Sequence, residues 1–398
     1  MPGLPYFVGL YRIVGGQRAI RRAVFVHASG KEARMENQVQ AWVDAAIGPG
    51  GLATKEVTLP AGRIPVPETV TVSNVYGLVI RGAAGPVGTE LLWTGQDERP
   101  MWVLNRTQWV CLENFSIRAN EDKKLLEGVR IQQGEDVEGP NSWAGLDSSH
   151  ATLDRIVFRG GGHLGTAVRV YVYGDDIKND YHRFSNVQCS GFTYAAFKLE
   201  GRNAKAIILD RCLIQSVDGE YGIDTVRGGA PPMVPGPLPP PKGTFNSGAQ
   251  VFCYGINIVG VRCAVRIGDR NGNFSIEGGY SEKCGRLLLV PAYGTGSGGP
   301  CAISIKDFRF ALGETPAEVP IVECQGGSLS IIDCTLGSFR DGPITIDVTT
   351  SGSFRFEGNF AAGGVIFTHH TPDGAPSEWG KKNRIHKSGE GMEPLIPG

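Results

Sequence analysis

The chain has almost no net charge. Its 39 Lys and Arg against 40 Asp and Glu leave −1 at pH 7, and only 20% of residues are charged. Nucleic acid is therefore disfavoured as a partner, because binding it takes a clear basic excess or patch. Long apolar runs are missing as well, and none approaches the roughly 18 residues that span a bilayer. Leu4–Val14 is apolar, but Pro5 and Arg12 interrupt it and no basic segment precedes it, so no export signal is legible. The nine cysteines are odd in number and lack CxxC or metal-type spacing. Gly-rich phosphate loops and nucleophile elbows are absent too.

What is present is a repeat. Leu112-Glu-Asn-Phe-Ser-Ile117 sets the pattern: an apolar anchor, any residue, then usually Asn, Asp or Gly, with small or apolar positions three and five along. The anchors are Ile80 (a degenerate first copy), Leu112, Leu153, Phe184, Leu209, Ile258, Ile276, Ile305, Ile331 and Phe356. They lie 32, 41, 31, 25, 49, 18, 29, 26 and 25 residues apart. Such spacing, with variable insertions, marks a stacked solenoid. Asn, Asp and Gly tolerate left-handed backbone, so each third position turns a tight corner between strands. The pattern predicts an all-β parallel β-helix of about ten coils, with 57 glycines serving its many corners. Hairpins of a β-sandwich would not repeat one corner ten times. Cys189, Cys212, Cys263 and Cys334 fall on inward positions and read as small buried apolar residues rather than disulfides or ligands. That usage suits a reducing cytoplasm.

Taken in order, residues 1–28 form an attachment or capping segment. Ser29 reads as the N-cap of a helix over 31–47, stopped by Gly48-Pro-Gly-Gly51. The apolar stripe of Val39, Trp42, Val43, Ala46 and Ile47 fits that helix over the open first coil, whose bare edge would invite aggregation. Leu59-Pro-Ala-Gly62 and Gly77-Leu-Val-Ile-Arg-Gly82 follow. Over about residues 30–95 this opening resembles the pectin-lyase-like right-handed β-helix family, which includes polysaccharide lyases and hydrolases and many bacteriophage tailspikes. Relatives often carry Asp-Gly-x-Thr-Asp-Asp before the helix, where this chain has His27-Ala-Ser-Gly-Lys-Glu32. The β-helix domain is expected over 29–367 and an irregular tail over 368–398.

Each coil should have a further strand, such as Ala167–Tyr173, Ala196–Glu200, Gly222–Val226 and Ala264–Ile267. Loops of unequal length follow these strands, among them Gln132–His150, Gly174–Tyr181 and Arg227–Ala249 with its polyproline run. Solenoids usually carry function on such an edge. Alternation points Val168 and Val170 inward, and Arg169, Tyr171 and Tyr173 outward. Stacking then predicts an outward column of Arg169, Lys198, Asp224 and Arg266 beside a loop holding Asp175, Asp176 and Asp180. In a saccharide groove, Arg169, Arg202 and Arg227 would hold acidic sugars, and Tyr171, Tyr173 and Tyr181 would offer ring faces. Asp175, Asp176, Asp224, Lys198 and Arg266 are the catalytic candidates, and Asp175, Asp176 and Asp180 offer oxygen ligands for Ca²⁺. An Arg or Lys beside Ca²⁺ that removes the proton next to a uronate carboxylate is the lyase strategy the resemblance implies. The bland alternative is that these opposite charges pair across the sheet.

The catalytic motifs of polygalacturonases and pectate lyases are missing. Two functions therefore stand side by side: a tailspike-like protein that binds and depolymerises a polysaccharide, or a rigid, non-catalytic component of a particle. Either version is made in the cytoplasm without a signal peptide and works in a virus particle or outside the cell after lysis. The resemblance implies a homotrimer, for which Leu288 would supply an outward apolar contact.

Overall fold

The computed structural model describes residues 37–133, 148–172, 179–200, 206–226, 250–268, 272–291, 302–313, 319–338, 343–349, 353–362, 365–370, 377–379, 384–387 and 391–394. Three parallel sheets run along one solenoid, a right-handed parallel β-helix. The first sheet begins with Val57–Leu59, the second with Gly62–Val66 and the third with Val70–Ser73. Strands of successive rungs pair in parallel, for example Ile80 with Leu112 and Leu112 with Leu153. The core is one continuous cluster of stacked apolar side chains running from Val39 to Ala361. Buried apolar surface at roughly 25 cal/mol per Å² is what pays for fixing so many short strands.

The predicted tight corner joins the first sheet to the second. Its third-position residues Asn114, Arg155, Asn186, Arg211, Gly278, Asp307, Asp333 and Gly358 all have φ between 50° and 70°. Gly82, in the degenerate copy, is not left-handed. It is needed for a different reason, since a Cβ there would lie 2.1 Å from the Asn114 carbonyl oxygen. One anchor was misplaced. Ile258 stacks on Ile214 in the second sheet, and the first-sheet residue of that rung is Cys253, paired with Leu209 and Ile276. Gly255, with φ 56°, makes its corner. The spacings 49 and 18 thus become 44 and 23 (253 − 209 and 276 − 253). Eighteen residues were too few for a coil.

The capping helix is shorter than expected. It spans Gln38–Asp44, and Asn37, not Ser29, caps it by accepting from the Gln40 backbone N–H. Residues 1–36, including Ser29, lie outside the described residues. Val39, Val43 and Ala46 are buried against the first rung. The Gln40 amide also pairs with the exposed edge: its oxygen accepts from the Thr71 N–H at 2.7 Å and its nitrogen donates to the Thr71 carbonyl at 3.0 Å. Among the described residues, a side chain thereby takes the place that a further strand would hold. At the other end the coil continues past residue 368, where an irregular tail was expected. Ser377–Trp379 pairs with the first sheet, and Arg384–Lys387 with the second.

Cys189, Cys212 and Cys334 are core residues. Cys263 is buried too, but outside the core cluster. All four are free thiols.

Candidate functional site

The third sheet carries the predicted column. At one level of the stack stand Thr71, Val103, Arg130, Arg169, Lys198, Asp224, Arg266, Leu289, Glu323, Asp347 and Thr368, one from each of eleven rungs. Leu288 does not face outward as expected: it is buried in the core, and Leu289 takes the outward place. The reason is a bend early in several third-sheet strands, where two successive residues face in, whereas Val70–Ser73 and Ile344–Thr349 alternate strictly. Ala167 and Val168, Ala196 and Phe197, Ala264 and Val265, and Leu287 and Leu288 are all core. Strict alternation counted from the wrong side of that bend slips by one.

Arg130, Arg169, Lys198, Asp224 and Arg266 form one network, joined through Glu127 and Glu200, whereas Glu323 pairs with Arg286. Asp224 accepts from Lys198 Nζ at 2.7 Å, from Tyr194 Oη at 2.8 Å and from the Val226 N–H at 2.9 Å. Arg266 grips the same carboxylate with two bonds, Nε at 2.9 Å and Nη2 at 2.7 Å. Arg169 bridges Glu127 at 2.9 Å and Glu200 at 2.6 Å, and Arg130 also pairs with Glu127. Burial opposes ionisation of Asp224, but Lys198 and Arg266 outweigh it and hold the carboxyl below its ordinary range. Burial likewise opposes ionisation of Glu127, and Arg130 and Arg169 bring it down. A carboxylate engaged by so many donors is a poor proton acceptor.

The layering of this network is informative. The carboxylates of Glu127, Glu200 and Asp224 are 0–1% exposed, whereas Arg130, Arg169 and Arg266 are 14–17% exposed. Anions lie beneath and guanidinium edges lie above. Arg266 stacks over the Tyr221 ring at 3.8 Å and Arg169 over Tyr171 at 4.7 Å. On the rungs from Arg130 to Arg266, water therefore meets guanidinium groups and tyrosine rings, while Glu323, further along, is 21% exposed. Of the other predicted site residues, Tyr173, Asp175, Asp176, Arg202 and Arg227 lie outside the described residues. Asp180 is buried, paired with Ser149. Among the described residues, no cluster of three or more His, Cys, Asp or Glu could hold a metal ion.

A second set of residues was not foreseen. The chain returns from the third sheet to the first through another left-handed corner. It is occupied on successive rungs by Gly77, Trp109, His150, Tyr181 and Ala206, with φ of 77°, 58°, 56°, 60° and 55°. Trp109 and His150 stack with ring centroids 4.0 Å apart, and His150 and Tyr181 at 5.1 Å. Left-handed backbone costs an L-residue about 1–2 kcal/mol, so three rings in a row at such positions call for a reason. Trp109 is 52% exposed and Tyr181 50%; nearby are Tyr76 at 48% and Leu52 at 58%. Four of the nine large exposed apolar residues among the described residues thus gather at this corner, which is not scatter. The set was legible in principle, because each ring sits three residues before a first-sheet anchor: 109 before 112, 150 before 153, 181 before 184.

Tyr181, expected to offer its ring, belongs to this stack rather than to the Arg169 column. Behind it His182 is buried. Its Nδ1 accepts from the Ala151 N–H at 3.2 Å and its Nε2 faces the Asn179 side-chain oxygen at 2.5 Å. Burial lowers its pKa to about 3, so the ring is neutral. On the second sheet, an open cavity of about 620 Å³ is lined by Tyr280, Glu282 and Arg309, among others. None of the predicted site residues falls there.

Fold and surface together define a parallel β-helix with a cationic, tyrosine-bearing face on its third sheet. No protein-family model and no curated protein sequence matches the chain. Solved structures similar in fold include ORF18 of Geobacillus virus E2, at 11% identity and TM-score 0.42, covering 94% of this chain and 66% of that one. Another is the tailspike protein gp49 of Acinetobacter baumannii bacteriophage Fri1, a capsular polysaccharide depolymerase. It has 11% identity and TM-score 0.47, with 90% of this chain and 60% of that one covered. The mannuronan C-5 epimerase AlgE4 A-module of Azotobacter vinelandii has 12% identity and TM-score 0.49, with coverage of 88% and 95%. The chain thus spans 66% and 60% of the two viral proteins. Likeness at this level gives the chain no activity, substrate or partner.

Proposed function

We propose that the chain is a tailspike-like, surface-acting β-helix protein that binds an acidic polysaccharide along the outer face of its third sheet. The observation that carries this is the layering: Arg130, Arg169 and Arg266 lie partly exposed over buried carboxylates, with Tyr171 and Tyr221 beside them. Guanidinium groups bind carboxylates in a fixed fork, and tyrosine rings cover the apolar face of a sugar. Depolymerisation through Lys198, Asp224 and Arg266 belongs to the same proposal, with Asp175 and Asp176 as the remaining candidates and Asp175, Asp176 and Asp180 as the candidate Ca²⁺ ligands. For Asp224 to act as a base, the bonds from Lys198 and Arg266 would first have to open. Action in a virus particle or outside the cell, and self-association as a trimer, complete the reading and rest on the family resemblance.

A panel of acidic polysaccharides tests it, with binding by calorimetry and cleavage by reducing ends and 235-nm absorbance, with and without Ca²⁺. Binding of at least one polymer is expected, weakened tenfold or more by Arg169→Ala or Arg266→Ala and by raised salt. No binding to any of them would leave the rigid, non-catalytic particle component as the better account.

A further inference from the structure

The stacked rings at the corner between the third and first sheets stop short of the rung above them. Trp109, His150 and Tyr181 occupy three successive places, and the next place belongs to Gly77, which has no side chain. Among the described residues, a Cβ built on Gly77 would meet nothing within 4 Å, so the space there is open to them. Rungs are about 4.8 Å apart, close to the separation of rings already in the stack. The face of Trp109 towards Gly77 is therefore an exposed aromatic surface with room for one flat, partly apolar ring upon it, and the half-exposed Tyr76 lies beside it.

Folding alone does not explain this arrangement. The first-to-second corner makes the same left-handed turn mainly with Asn, Asp and Gly, and the aromatic corner itself uses glycine at Gly77. Three strained ring residues in sequence, two of them half-exposed, present surface rather than bury it. The ring they would receive follows from the neighbourhood. The aromatic corner follows the third-sheet strands in chain order: Arg130 lies in Leu125–Gln133 and Arg169 in Val157–Val172, and His150 and Tyr181 are the corner residues that come next among the described residues. The near-zero net charge offers no pull on nucleic acid, so a nucleobase is not the natural occupant.

We propose that Trp109 is a stacking seat for a pyranose ring of the polysaccharide, lying at the level of Gly77 and backed by His150 and Tyr181. This rests on the glycan-binding reading of the third sheet and extends it to a site about which that reading is silent. The acidic sugars would lie on the guanidinium face, and a sugar further along the polymer would lie on the stack.

The test uses the full chain and acidic oligosaccharides, hyaluronate, alginate, polygalacturonate and polysialate, with affinity read by calorimetry and folding by thermal melts. Trp109→Ala is expected to weaken binding of the oligosaccharide that the wild type binds by tenfold or more, with the melting temperature lowered by no more than about 3 °C. Trp109→Phe, which keeps a ring, should restore affinity to within threefold. Gly77→His should fill the open place and weaken binding as much as Trp109→Ala does. If Trp109→Ala and Gly77→His both bind within twofold of wild type while Arg169→Ala and Arg266→Ala lose binding, the seat is refuted and the cationic face stands. If the arginine variants bind normally and Trp109→Ala does not, the seat stands and the cationic face is refuted. A wild type that binds none of the four overturns both.

Discussion

Two corners of the same coil make the same backbone turn with different residues. Between the first and second sheets the left-handed position is held by Asn114, Asn186, Asp307, Asp333 and glycines, with Arg155 and Arg211 among them. These residues either tolerate the turn or support it: the Asn186 side chain donates to Asp154 on the rung before, at 3.1 Å. Between the third and first sheets the same φ is imposed on Trp109, His150 and Tyr181. The first corner minimises strain, and it repeats because every coil needs it. The second accepts strain over three rungs and places rings on the surface. Residue choice at one backbone geometry thus separates the part of the coil that only folds from the part available to a ligand.

The largest effect should come from the charged face of the third sheet, which neither corner contains. Asp224→Ala removes the nearer of two carboxylates from buried Lys198 and the carboxylate that Arg266 grips, and is expected to cost about 3–5 kcal/mol in urea unfolding. A loss below about 1 kcal/mol would mean that the network is surface decoration. Next comes the first corner. Asn186→Val puts a β-branched residue in left-handed backbone and removes the bond to Asp154, for an expected cost of about 2 kcal/mol. An unchanged midpoint would show that this corner is no more selective than the other.

Acid should act on the second corner before the first. The folded pKa of His182, about 3, lies below the ordinary 6.5. Between these values the unfolded chain takes up a proton that the folded chain refuses. His182 therefore contributes stability above pH 6.5 that is lost as pH falls towards 3, with a slope of up to about 1.4 kcal/mol per pH unit. Glu127 and Asp224, held below the carboxylate range, add a further loss below about pH 4. Unfolding midpoints between pH 8 and 3 read both phases, and a flat profile from 6.5 to 4 would contradict the role given to His182. The smallest effect is the sharpest contrast. Tyr181→Gly relieves the left-handed strain and loses one ring contact of about 0.5–1.5 kcal/mol, so stability should move by no more than about 0.5 kcal/mol. A Tyr181→Gly loss as large as that of Asn186→Val would erase the distinction between the corners.

Much of the fold was legible because the tight corner repeats in residue type and spacing. The outward column Arg169, Lys198, Asp224 and Arg266 was reachable by counting from it. Ile258 misled because Gly260 after it is also left-handed, with φ 78°, although it serves another corner. Leu288 misled because a bend turns two neighbours inward, and alternation has no memory of bends. The ring stack escaped notice because Trp109, His150 and Tyr181 share no residue type, only a position relative to the anchors.

By itself, the sequence determined the coil: the corner residues, the apolar anchors and the parallel stacking follow from local conformational preference and burial, which act residue by residue. Only the tertiary structure decided which charges are spent on one another and which rings face one another. Those pairings are made between residues about 25 to 40 positions apart, and their strength depends on burial that no single coil can supply. Asp224 looked like a reactive carboxylate in the sequence and proved to accept five hydrogen bonds. Trp109 looked like an ordinary residue and proved to be the end of an open aromatic stack.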